Sequence, residues 1–229
     1  MRHEDRLPGQ LQRHGLFESE RRATPSVAAV GLIEDERDIL GQWFRREGDV
    51  IVLLGEDGVD PGLGGSEYQA HKAGQLGGPA PQIDLEAEKK LQRLVLGLAR
   101  AHVLSSAHDV SDGGLAVALA ECCTTAPDGT LIGAHVTLPA RHGTTPVAAR
   151  LFGEAPSRIV VSTSKEHAED VMARACAAGV AARQVGHTTH SGESATLRIG
   201  ILSGPHIELR AADLRLARES CLDAIVGGA

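Results

Sequence analysis

The stretch SAHDVSDGGLAVALAE (residues 106–121) decides how this chain is read. It opens as a short strand, turns through Asp109, Ser111 and Asp112, and continues as small apolar residues suited to a buried helix. Glycine inside a helix costs about 1 kcal/mol against alanine, so Gly113 and Gly114 imply that something approaches this backbone closely. Two accounts fit. In one, Asp109 at the strand end holds Mg²⁺ through hard oxygen donors, while the free amides of the first helical turn face a phosphate and the glycines remove the Cβ that would keep it away. In the other, Ser111 or Asp112 caps an ordinary helix whose glycines pack on a neighbouring strand. The spacing alone leaves both open.

Outward from this stretch, apolar patterning predicts alternating strands and helices. SVAAVGLI (26–33) and DVIVLLG (49–55) read as buried strands, separated by a charged segment in which Glu34 and Asp35 cap or turn the chain. The Gly- and Pro-rich run 56–82 is too long for a plain connector. Within it Gly64, Gly65 and Ser66 form either an amide nest for phosphate or a turn into a helix. Asp84 caps a helix whose Leu85, Leu91, Leu94, Val95 and Leu98 share one face, with Glu86, Glu88, Lys89, Lys90 and Arg93 on the solvated side.

Beyond residue 130 the expected order is strand (131–139), helix (146–153), strand (158–164), helix (166–179), then strands at 180–186, 196–202 and 206–210. A final helix from Ala211 sets Leu214, Ala217, Cys221, Leu222 and Ile225 on one face. Such alternation implies an α/β layered domain with helices on a mixed sheet. Residues 1–23, charged and without apolar period, read as a disordered lead-in.

Composition narrows the function. With 2% aromatic residues and a net charge of −7, the chain lacks the rings and positive field that nucleic-acid binding uses. Cys122, Cys123, Cys176 and Cys221 show no CxxC spacing and read as reduced, mostly buried thiols. The charged start MRHEDR lacks the apolar segment of a signal peptide, and no apolar run reaches membrane length, which gives a cytoplasmic expectation.

Longer words then add a resemblance. GLGGSEY (62–68) followed by SAHDVSDGGL is similar to the C-terminal half of PurL-type phosphoribosylformylglycinamidine synthases. TPSVAAVGLIED (24–35), REGDVIVLLGE (46–56), IDLEAEKKLQ (83–92) and LFGEAPSRIVVS (151–162) resemble that family's words in the same order. The resemblance implies a fold like the C-terminal domain of the aminoimidazole ribonucleotide synthetases. Residues 24–54 would be the end of an N-terminal-type domain and residues 55–229 a C-terminal-type domain.

The implied activity is the ATP- and Mg²⁺-dependent amidoligase step of purine biosynthesis, in which formylglycinamide ribonucleotide and glutamine-derived ammonia give the amidine. By motif, Asp109 would bind Mg²⁺, and Ser111, Gly113 and Gly114 the nucleotide, with Gly64, Gly65 and Ser66 as further nucleotide contacts. The family's catalytic histidine and ATP lysine belong to a first half that this sequence lacks, so no catalytic residue is assigned here. RHGLFESERRA (13–23) stands where the family carries GNxSxYNE. The expectation is therefore a piece that is inactive alone. Its implied partners are the missing N-terminal half, a glutaminase subunit and a small accessory subunit. The alternative is a non-catalytic module that binds Mg-nucleotide or supports assembly.

Overall fold

The computed structural model describes residues 27–55, 62–139, 145–202, 204 and 206–226. Its strands are β1 (Val50–Gly55), β2 (Ser106–Asp109), β3 (Ile132–Leu138), β4 (Arg158–Thr163), β5 (Ala182–Ser191), β6 (Thr196–Ile201) and β7 (His206–Arg210). Its helices are α1 (Glu67–Ala73), α2 (Leu85–Arg100), α3 (Gly114–Thr124), α4 (Val147–Phe152), α5 (Ala168–Ala177) and α6 (Ala211–Val226).

Among the described residues the strands form one sheet in the order β2-β4-β1-β5-β3-β6-β7. Neighbours are antiparallel except β3 and β6, which run parallel, so the sheet is mixed as expected. In β1 alternate side chains enter opposite layers. Ile51 and Leu53 pack with α3, while Val52 and Leu54 pack with Leu91, Leu94 and Leu98 of α2 and Val171 of α5. A strand covered on both faces reads as a continuous apolar run, which is why VIVLL was legible. Beyond β5 one face is left open. His135, Thr137, His187 and Arg198 are exposed there, and His135 and His187 meet edge to face at 5.7 Å.

Several expectations need correction. Residues 27–33 carry no strand, and Val27, Val30, Leu32 and Ile33 are exposed. A β-branched run becomes a strand only beside a partner that takes up its backbone groups. β1, which the sequence reading assigns to the stretch before Gly55, is hydrogen-bonded to β4 on one edge and β5 on the other. It is built into this sheet. β5 runs on to Ser191 through the polar HTTHS, which has no apolar period to announce it.

Leu85 lies exposed at the first turn of α2, and Ala217 is exposed on α6, so both leave their expected faces. The side chains of Cys221, Leu222 and Ile225, and the lead-in 1–23, lie outside the described residues. Cys122 and Cys123 are buried, and burial pushes Cys123 up to about 12, so these are inert core thiols. Cys176 is instead exposed, on the outer face of α5.

Two caps are as expected. Asp35 accepts from the Arg37 amide at 2.9 Å and opens a short 3₁₀ turn (Glu36–Asp38). Asp84 accepts from Glu86 and Ala87 at 2.9 and 3.1 Å and starts α2. Asp84→Ala should therefore cost about 1 kcal/mol. Urea unfolding checks this, and an unchanged midpoint would refute the cap.

Candidate functional site

β2 carries His108 and Asp109 to the sheet end, where α3 begins. His108 is buried, with Nε2 2.8 Å from Glu121 Oε2 on α3 and Nδ1 3.4 Å from Asp109 Oδ1. It fixes the strand end to the helix behind it. Asp109 itself is 71% exposed in its side chain. Ser111 and Asp112 are exposed too.

The helix start differs from both accounts offered by the spacing. Neither Ser111 nor Asp112 caps α3 by its side chain. The N-cap is Gly113, in the left-handed conformation at φ +78°. Its amide donates to Glu154 Oε1 at 2.8 Å, and the Gly114 amide donates to Ser111 O at 3.0 Å. The close approach implied by the two glycines comes from within the chain, the Val117 side chain at Gly113 and protein backbone at Gly114. A Cβ on Gly114 would lie 2.7 Å from Phe152 C and 2.8 Å from Gly153 O. The Gly113 and Gly114 amides thus have partners inside the chain.

The same carboxylate oxygen takes a second donor. The Glu67 amide, at the start of α1, donates to Glu154 Oε1 at 2.9 Å. Glu154 thus joins two turns far apart in sequence, GLGGSEY and HDVSDGG. Within the first, Ser66 is buried, accepts from the Gln69 amide and donates to Leu63 O at 2.7 Å, so it acts as a cap. Gly65 donates to Gly77 O at 2.7 Å, and a Cβ on Gly64 would strike Pro79 O. These bonds hold the loop to itself. Tyr68 stacks on Phe152 at 4.9 Å and anchors α1 to the end of α4.

A cleft of about 460 Å³ lies in front of the turn, lined by Glu88, Asp109, Ser111, Glu154, Ser157 and Arg158 among others. Arg158 is 7% exposed and donates to Gly153 O at 2.6 Å and Ala155 O at 3.2 Å. Burial pushes its guanidinium down to about 10, so it stays charged at neutral pH. Glu88, read from sequence as a solvated helix residue, accepts from Ser157 Oγ at 2.6 Å. Sequence reasoning assigned no role to Glu154, Ser157 or Arg158. All three lie in LFGEAPSR, and only the length of that word marked them.

Among the described residues of this turn, the exposed Asp109 carboxylate, which shares Oδ1 with His108, and the exposed Ser111 hydroxyl can meet a ligand. No group of three His, Cys, Asp or Glu residues among those described is placed to hold a metal. That oxygen set fits Mg²⁺ carried by a phosphate ligand, since Mg²⁺ keeps its waters and takes one or two carboxylates. It does not make a closed metal cage. No helix among the described residues is long and apolar enough to cross a membrane.

Comparison with known proteins agrees with the fold. The PurL subunit of phosphoribosylformylglycinamidine synthase from Methylocella silvestris is 42% identical over 179 residues, covering 76% of this chain and 23% of that protein. The subunit of the same name from Thermobifida fusca is 40% identical over 206 residues, covering 89% and 25%. The chain thus spans about a quarter of the length of the curated relatives it matches. Among solved structures, Thermotoga maritima PurL complexed with FGAR superposes with TM-score 0.65 at 22% identity, over 79% of this chain and 30% of that one. Its complex with ATP gives 0.59 at 21%, over 79% and 28%. A family model described as AIR synthase related protein, C-terminal domain, matches residues 46–198. The chain belongs to the family of AIR synthase related proteins by its C-terminal domain.

Proposed function

We propose that this chain is the C-terminal part of a PurL-type phosphoribosylformylglycinamidine synthase and contributes one Mg-nucleotide contact to it. The observation that carries the reading is Asp109, an exposed carboxylate at a strand end beside Ser111, in a chain about 40% identical to proteins of that name. In this reading the whole enzyme forms the amidine from formylglycinamide ribonucleotide, ATP and glutamine-derived ammonia. This chain supplies the Mg²⁺ ligand Asp109 and the nucleotide contact Ser111. Gly114 serves by letting α3 start against the Phe152–Gly153 backbone, and Gly113 by taking the left-handed N-cap position.

The cleft supports a need for Mg²⁺. Glu88, Asp109 and Glu154 face it with Arg158 as the buried cation, and an excess of carboxylates repels a bare phosphate. When bound, Mg²⁺ supplies positive charge between carboxylate and phosphate. Residues upstream of β1 would close off a preceding N-terminal-type domain. The remaining enzyme, a glutaminase subunit and a small subunit would be partners in the cytoplasm; a solved relative is a PurLQS assembly.

The spent amides of Gly113 and Gly114 favour a second reading, a module that supports assembly without turnover. Calorimetric titration with Mg-ADP separates the two. The first reading expects binding that weakens at least tenfold in Asp109→Asn. A folded chain that binds no Mg-ADP, or binds it equally in the variant, sinks the Asp109 assignment.

A further inference from the structure

β7 is the far edge of the sheet from β2 and Asp109, and among the described residues no strand pairs with its outer side. The edge at β2 is partly covered, since the Ala107 amide donates to Gly41 O at 3.1 Å. The hydrogen-bond phase of β7 is fixed by its end. The Ala211 amide donates to Ala195 O at 2.8 Å, one step beyond the Thr196–Arg210 pair, so Leu209 and Ile207 direct their backbone groups at β6. His206, Glu208 and Arg210 direct theirs outward.

The strand carries no proline, and its ladder with β6 runs without a bulge. Charged side chains discourage pairing on many sheet edges, but here they complement themselves. Glu208 and Arg210 stand two residues apart on the open face, opposite Arg198 and Thr196. Their present contacts are loose: Glu208 Oε2 lies 3.9 Å from Arg198 Nε, and Arg210 reaches Glu193 O at 3.5 Å. Leu209 lies between them on the other face, still 46% exposed.

Two copies of β7 set antiparallel about Leu209 place Glu208 of each opposite Arg210 of the other. In that register both residues point their amides and carbonyls at the partner, and the two Leu209 side chains meet at the two-fold, where opposed side chains come closest. Centring the pair on Glu208 or on Arg210 would oppose like charges, and centring it on Ile207 would leave Arg210 unmatched. With Glu193 and Arg198 beside the strand, and Asp213 and Arg215 in the first turns of α6, acids and bases balance along this edge. We propose that β7 is a self-association edge, on which a second copy of this chain extends the sheet through Glu208–Arg210 pairs and a Leu209–Leu209 contact. The strand is short, so the contact is weak and transient. It is independent of Asp109 and of the synthase reading.

The test is sedimentation velocity on the full chain over a concentration series. A dimer should appear as concentration rises. Arg210→Glu and Glu208→Arg, which oppose like charges, should each weaken it at least tenfold, and the double exchange, which restores opposite pairs, should bring it back. Hydrogen exchange at the Glu208 and Arg210 amides should slow as the dimer forms. Should either single variant fail to fold by circular dichroism, Leu209→Lys, which sets two cations together at the two-fold, carries the same expected loss. A chain that stays monomeric throughout overturns the proposal. So does a dimer that the single exchanges leave unchanged or that the double exchange fails to restore, since it would pair through another surface.

Discussion

Gly114→Ala should destabilise the chain by about 3 kcal/mol, from backbone strain and overpacking together. Gly114 sits at φ +70°, where an L side chain costs about 1–2 kcal/mol. The added Cβ would also lie 2.7–2.8 Å from Phe152 C and Gly153 O, backbone atoms that no rotamer change moves aside. Gly65→Ala is the control. It has the same left-handed φ, +72°, but no heavy atom within 4 Å of the added Cβ, so only the strain of about 1–2 kcal/mol applies. Urea unfolding of both variants decides the matter. If they lose the same stability, the contact between α3 and the end of α4 is not what the glycine serves.

Glu154→Ala should cost about 2 kcal/mol, because two backbone donors lose a charged acceptor at once. Part of the gross interaction is replaced by water, since the Glu67 side of the contact is exposed. Glu154→Gln keeps an acceptor oxygen and should lose less than half as much. Hydrogen exchange gives the sharper reading. In Glu154→Ala the amides of Glu67 and Gly113 should lose protection together, though they lie far apart in sequence. Loss at one alone would mean that the two turns are held independently.

What could be read from sequence follows from which forces act locally. β1 and β4 are legible because both faces are covered and each has an apolar run, VIVLL in β1 and IVV in β4, and Asp84 because a cap acts within three residues. The start of α3 was misread for the converse reason. Its amide partner is Glu154, some forty residues downstream, and no spacing rule reaches that far. SVAAVGLI shows the limit from the other side, since β-branched residues describe a strand only if a partner strand exists. At the candidate site Asp109 and Ser111 could be named from the motif, whereas the Glu154 bridge and the burial of Arg158 arise only when three segments meet.

The place of β1 in the sheet carries a consequence for synthesis. Val50 pairs with Thr163 and His187, both more than a hundred residues later in the chain. At a translation rate of about 5–20 residues per second, VIVLLG leaves the ribosome on the order of ten seconds before either neighbour exists. Through that interval an apolar hexapeptide has free strand edges on both sides. The nascent chain therefore depends on whatever shields residues 50–55 until the second half of the domain arrives.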